Sequence, residues 1–322
     1  MIDVCICALD PEPGLFGRVL EAVAHQSLPR GAFAVVVVDN ASSPAIDPRV
    51  LQPLGAHGIS AQLWHEPQPG LQHARLAATR RAVGEWLVWV DADNVLPPTY
   101  LQTGAQFARE HPGVGCFGGD AVLAPGVEPK RWMLPFLPYL GIRAGEGRVL
   151  VTREAGWTAA EPLGAGAWVH RTVAAEYAAF AARDPRFFAL GRTGHAGLAS
   201  CDDSLMMRCA FRVGRACAYV PTLRLYHHID LGRRTRFVYL IRLMYAYGVS
   251  HVALEQLLGD PPSLPRYRRS SPGAARWWRW LAHRGIQQSL AFSVGFIAYC
   301  LGARVQQRRH RRLSGRHSVS GA

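Results

Sequence analysis

Apolar residues open the chain in strand-like runs. "IDVCICAL" (2–9) and "FAVVVVDN" (33–40) are rich in Val and Ile, and "LFGRVLEAVAHQ" between them sets Leu15, Val19, Ala22 and Val23 at helical spacing. This succession predicts a βαβ unit. "AQLWHEP" (61–67) and "EWLVWVDAD" (85–93) predict two further strands, with a helix in "LQHARLAATRRAV" (71–83) between them. A run as continuously apolar as 86–90 suits a sheet covered on both faces. The pattern therefore predicts an α/β fold with a mostly parallel, Rossmann-like sheet flanked by helices.

From about residue 97 the pattern changes. "PPTYLQTGAQFAREH" predicts a helix started by proline, "CFGGDAVL" (116–123) a short strand, and 125–165, rich in Pro, Gly and Trp, has the irregularity expected of loops around a site. Helices are predicted over 172–183 and from the start of "CDDSLMMRCAFRVG" (201–214). "ACAYVPTLRLYHHI" (216–229) then predicts a strand, a turn and a strand. "GDPPSLPRYRRSSPG" has linker composition. It predicts a boundary near 260, dividing a body (1–260) from a basic, helical C-terminal extension (261–322).

Charge sharpens this division. The net charge is +13, but twelve arginines and no lysine or acid follow Asp260, which leaves +1 for residues 1–260. A basic charge confined to the extension is a property of the tail, and leaves a nearly neutral body with no reason to expect a nucleic-acid partner. A non-catalytic nucleic-acid binder using that tail is the weaker alternative. Within the extension, the apolar core 290–301 is shorter than the roughly 18–20 residues that span a bilayer. Trp277, Trp278 and Trp280 precede it and "RVQQRRHRR" follows, which suits a segment lying on an anionic membrane surface. The plainer alternative is a helix packed on the body. Seven cysteines form no CxxC pair, and the N-terminus shows no export signal. Both fit a cytoplasmic protein, peripheral at the cytoplasmic face of the membrane if the extension binds lipid.

Candidate chemistry sits at the strand ends. In open α/β sheets ligands bind beyond the carboxyl ends of the strands, where Asp39 and Asp91 are expected. Asp91 and Asp93 are two residues apart, so in an extended segment both point to one side. Two carboxylates there cost desolvation and repulsion unless a cation joins them. Mg²⁺ or Mn²⁺, which in turn binds a diphosphate, suits such a pair. Acids capping the helix after Pro98 are the alternative.

"VVVVDNASS", "GLQHARLAATRRAVGEWLVWVDADN", "LGAGAWVHR" and "CDDSLMMRCAFRVG" occur in an order that resembles family 2 glycosyltransferases of the GT-A fold, over roughly residues 2–245. The resemblance implies metal-assisted, inverting transfer of a sugar from a nucleotide-sugar donor, a UDP-sugar being favoured, to the hydroxyl of a sugar or lipid-linked acceptor. Cell-surface polysaccharide or glycolipid synthesis is the implied setting. By the same resemblance Asp39 contacts the base, Arg75 lies against the donor, and Asp93 is the main metal ligand, with Asp91 on the ribose or the metal. Asp202 is the general base, with Asp203 beside it, and Cys201 stands where the family has a glutamate. His227 or His228 completes the metal shell, and Trp168 lies on the acceptor side, a buried aromatic being the equal alternative. The Gln-x-x-Arg-Trp signature of processive synthases is absent. A nucleotidyltransferase on a similar sheet is the other alternative.

Overall fold

The computed structural model describes residues 1–145, 147–193, 197–230, 232, 234, 236–260 and 286–317. Its first half follows the apolar pattern closely. Strands β1 (Ile2–Ala8), β2 (Phe33–Asp39), β3 (Ala61–His65) and β4 (Trp86–Asp91) pair in parallel in the order β3-β2-β1-β4. Helix α1 (Pro13–Ala24) connects the first two strands. It starts where Glu12 accepts hydrogen bonds from the Gly14 and Leu15 amides. A short helix α2 (Gln52–Ala56) precedes β3, and α3 (Leu71–Arg81) leads into β4. Val4, Ile6, Val35, Val37, Val88 and Val90 face one core with α1, while Cys5, Val36, Val38, Leu87 and Trp89 face a second core with α3. Successive strand residues point to opposite faces, so a sheet buried on both sides needs the unbroken apolar runs seen in the sequence.

Beyond β4 short antiparallel strands join the sheet, while the long ladders stay parallel as the apolar runs predict. After the two-residue strand β5 (Asn94–Val95) and α4 (Tyr100–Glu110) come β6 (Val114–Leu123), β7 (Leu150–Thr152) and β8 (Trp168–His170). Strand β8 inserts between β4 and β6 and runs antiparallel to both. Helices α5 (Arg171–Arg183) and α6 (Asp202–Arg212) follow, then β9 (Ala216–His227), parallel to β6 but antiparallel to β5 and β7. The expected strand-turn-strand over 216–229 is instead this one long strand. An irregular register opposite Gly118–Asp120 absorbs the turn-like "VPT".

Within 125–165 a ten-residue 3-10 segment, Arg131–Leu140, lies where loops were expected. Helix α7 (Phe237–Leu258) and the last helix, α8 (Ile286–His317), pack together and against that segment. The boundary expected near 260 falls at the start of 261–285, and the three tryptophans of the extension fall with it outside the described residues.

Candidate active site

The carboxyl ends of β1 and β4, the start of α6 and the wall formed by α7 and the 3-10 segment enclose a cavity of about 440 Å³. The parallel register sets Cys7 of β1 beside Asp91, and Ala8 beside Asp39. Both acids therefore reach the strand ends where a ligand belongs. Beyond Asp91 the chain turns. The Asn94 side chain fixes the turn by accepting from the Asp91 amide at 3.3 Å and donating to Asp93 Oδ1 at 3.1 Å. Strand β5 then pairs with the end of β9, setting Asn94 opposite His227. This pairing delivers a histidine to the acids: His227 Nε2 lies 3.4 Å from Asp93 Oδ2. The next residue, His228, points elsewhere in the cavity and reaches Asp93 through its backbone amide, which donates to the Asp93 carbonyl at 2.9 Å. Of the two histidines, His227 is the one whose ring meets the acids.

The electrostatics separate the two acids. Burial and the neighbouring Asp93 push the Asp91 carboxyl above its ordinary range, against the pull of Arg75 and His227. Burial also works against the charge of Asp93, but the His227 hydrogen bond and the nearby Arg234 outweigh it and hold that carboxyl low. Burial opposes protonation of His227 in turn, and the two acids overcome it, raising its pKa. Arg234 Nη1 approaches the same Asp93 Oδ2 to 3.4 Å.

Asp202 and Asp203 occupy the first turn of α6, where acids are favoured. The preceding residue, Cys201, is buried and has φ of 101°, a conformation that favours glycine. That backbone turns the following acid inward. Asp202 is buried and forms a short ion pair with the equally buried Arg75, whose guanidinium also lies over the Trp89 ring at 5.8 Å. Burial raises the Asp202 pKa, Arg75 opposes the rise, and Asp203 adds to it. Asp203 is the more exposed of the two. Its Oδ2 accepts from the Gly164 amide at 3.2 Å, and its Oδ1 from the Ser204 amide at 2.9 Å. Arg75, expected on the donor side, is thus the direct partner of the acid expected to act as base.

Two other sequence expectations land differently. Asp39 is buried, but its oxygens accept from the Ser42 amide at 3.0 Å and the Ile46 amide at 3.1 Å, with His65 Nδ1 at 3.5 Å. It organises the 40–46 loop and is not among the residues lining the cavity. The acceptor-side reading of Trp168 is corrected in favour of its alternative, a buried aromatic. Trp168 is fully buried, stacked on Phe117 with ring centroids 5.3 Å apart, and a Cβ at Gly104 would collide with its indole. A strand residue in the middle of a covered sheet cannot present its ring to an acceptor.

Sequence reasoning did not single out Arg192, Tyr239 or Tyr247, which line the cavity, nor Glu161, packed behind it. Arg192 sits between two glycines in "LGRTG", a weak signal at best. The tyrosines belong to an apolar helix and look like core. Glu161 is buried near Asp203 with Arg208 Nη2 at 3.5 Å, and burial, only partly offset by Arg208, raises its pKa to about 7.

Residues 3–176 match the family model described as "Glycosyl transferase family 2". The chain belongs to that family. It is a glycosyltransferase, and the match decides against both alternatives weighed from the sequence. Among solved structures, a mannosyltransferase from Pyrobaculum calidifontis, in complex with GDP-Man and Mn2+, is similar in fold. The TM-score is 0.55 at 19% identity, over 95% of this transferase and 86% of that chain. S. aureus TarS 1–349 in complex with UDP aligns with a TM-score of 0.45 at 14% identity, over 95% of this transferase and 91% of that chain. No curated protein matches.

Proposed function

We propose that this glycosyltransferase catalyses a single, inverting transfer of a sugar from a nucleotide-diphosphate donor to an acceptor hydroxyl, with a divalent cation and with Asp202 as general base. The observation that carries the reading is the charge of the cavity. Its lining includes seven carboxylates (Asp10, Glu12, Asp91, Asp93, Asp202, Asp203 and Asp230) against three guanidinium groups (Arg75, Arg192 and Arg234). A diphosphate would enter such a surface only with a cation beside it. Among the described residues no three His, Cys, Asp or Glu side chains converge as a ready ligand set. Asp93 and His227, with Asp91 near, offer few protein ligands and leave positions for diphosphate oxygens and water. That suits Mg²⁺ or Mn²⁺, which are commonly held by one or two carboxylates plus substrate phosphates. The mannosyltransferase of similar fold was solved with Mn2+, in keeping with this choice.

Such a cation, held by Asp93 and His227, supplies stabilisation of the charge on the departing nucleotide diphosphate. The chain's own residues do the rest. Arg192 and Arg234 line the cavity on the side of the acids and neutralise phosphate oxygens. Asp202, held by Arg75, accepts the proton of the acceptor hydroxyl as its oxygen bonds to the anomeric carbon and the bond to the diphosphate breaks, so configuration inverts. Burial raises the proton affinity of Asp202, and Arg75 keeps the carboxylate oriented. Asp203 shapes the entrance through Gly164. Asp39 acts on the base side through the loop it organises, with a uracil nucleotide favoured.

The acceptor is a sugar or lipid-linked hydroxyl. The setting proposed is cell-surface polysaccharide or glycolipid synthesis on the cytoplasmic face of the membrane, with residues 1–260 catalytic and the extension on the lipid surface. The test is a panel of nucleotide sugars with Mn²⁺. Donor turnover is expected with at least one member, lost with EDTA and reduced about a hundredfold or more in Asp93→Asn. Turnover that survives both chelation and the substitution refutes the role of the cation.

A further inference from the structure

Helix α8 has two faces. Gly295, Ala298, Tyr299, Gly302 and Ala303 turn inward, where a Cβ at Gly302 would collide with the Tyr245 carbonyl of α7 and one at Gly295 would press on Phe136 of the 3-10 segment. Leu290, Val294, Ile297 and Leu301 turn outward, with exposures of 62%, 44%, 59% and 50%. Their spacing of four, three and four residues forms one stripe. Continuing that spacing leads to Arg304 and Arg308, both exposed. Four large aliphatic side chains in water followed by cations along one line form an amphiphilic edge that the helix does not need for packing on α7.

We propose that this stripe is a docking face for an anionic lipid bilayer, with Leu290, Val294, Ile297 and Leu301 entering the interface and Arg304 and Arg308 meeting phosphate headgroups. The inference deepens the membrane-surface reading above by naming the face that makes the contact. Charge selects the occupant. A second copy packed stripe to stripe in parallel would bring Arg304 and Arg308 of both chains together, and packed antiparallel its α8 would offer them no acid, since none follows Asp260. An anionic surface is complementary to apolar and cationic parts alike.

The helix lies on the surface rather than crossing it. Leu290 to Leu301 extends about 17 Å, against a hydrocarbon core of roughly 30 Å. Gly295 meets Met244, Gly248 meets Tyr299 and Gln256 meets Gln306, so α7 and α8 run in the same direction. Two parallel helices could both span only if the chain between them crossed back. Helix α7 alone among the described residues is long and apolar enough to cross. Yet its Tyr239 and Tyr247 line the polar cavity, and its Leu240, Leu243 and Met244 are core. The same helix thus joins the catalytic cavity on one side to the proposed bilayer face on the other.

The test uses the full-length chain and flotation with vesicles of phosphatidylcholine alone or with phosphatidylglycerol, together with donor turnover and light scattering. The wild type is expected to float with the anionic vesicles, about tenfold or more weakly after L290Q/I297Q. R304Q/R308Q is expected to weaken anionic binding by about fivefold per arginine and to leave the residual binding to neutral vesicles unchanged. Because all four side chains are exposed, the unfolding temperature and donor turnover should be retained. Equal flotation of wild type and L290Q/I297Q overturns the assignment of the face while leaving membrane binding standing. No flotation of the wild type overturns both. A wild-type dimer that L290Q/I297Q turns into a monomer, without vesicle binding, assigns the stripe to a second copy and also overturns the proposal. None of these outcomes depends on donor turnover, which tests the catalytic reading separately.

Discussion

Single residues of the site are set by their surroundings more than by their type. Only Ala92 separates Asp91 from Asp93, yet burial raises one and the contacts of His227 and Arg234 hold the other low. Glu161 shows the same control away from the cavity. Its carboxyl is raised from an ordinary 4.5 to about 7, first by burial, with Arg208 offsetting only part. The folded chain then holds a proton that the unfolded chain releases above about pH 4.5. The resulting stability is complete below pH 4.5 and is lost as pH rises to 7, by up to about 3 kcal/mol at 1.36 kcal/mol per pKa unit. Denaturant unfolding at pH 4.5 and pH 7.5 checks this. Relative to Glu161→Gln, the wild type should lose stability across that interval, and parallel behaviour of the two proteins would show that Glu161 ionises normally.

At the scale of elements, α7 and α8 depend on glycine where their backbones meet. A Cβ at Gly248 would collide with the carbonyl of Tyr299, a backbone atom that cannot rotate away. Gly248→Ala should therefore separate the pair and lower stability by about 1–3 kcal/mol, although alanine is the better helix former. Thermal unfolding and protease cleavage within 286–317 measure the effect, and unchanged values would mean that the helices do not touch there. The sequence disclosed this level unevenly. Strands β1, β2 and β4 were legible because a sheet covered on both faces writes unbroken apolar runs. The position of β8 between β4 and β6 was not, because three residues, Trp168–His170, carry too little pattern and antiparallel insertion leaves no local trace. For that reason the sequence left Trp168 between an acceptor-side role and a buried aromatic, and only the closed sheet decides for burial. The pairing of Asp93 with His227 was half legible. The residue types announced a site, but the antiparallel β5–β9 contact that brings them together spans more than 130 residues of chain.

At the scale of the molecule, the parallel half-sheet presents Asp91 and Asp93, the mixed half presents His227, and α6 presents Asp202 to one cavity. Helix α7 closes that cavity and carries α8 on its outer side. The family match over residues 3–176 ends before α6, so the proposed base rests on the resemblance of "CDDSLMMRCAFRVG" and on its place in the cavity. The central claim is that Asp202 moves the proton in the step that bonds the acceptor to the sugar. The most direct measurement compares wild type with Asp202→Asn for donor affinity by calorimetry and for transfer at saturating donor and acceptor. A base contributes about 10²–10⁴-fold, so the variant should bind donor within a few-fold of wild type and transfer at least a hundredfold more slowly. An Asp202→Asn protein that transfers sugar at the wild-type rate would contradict the account.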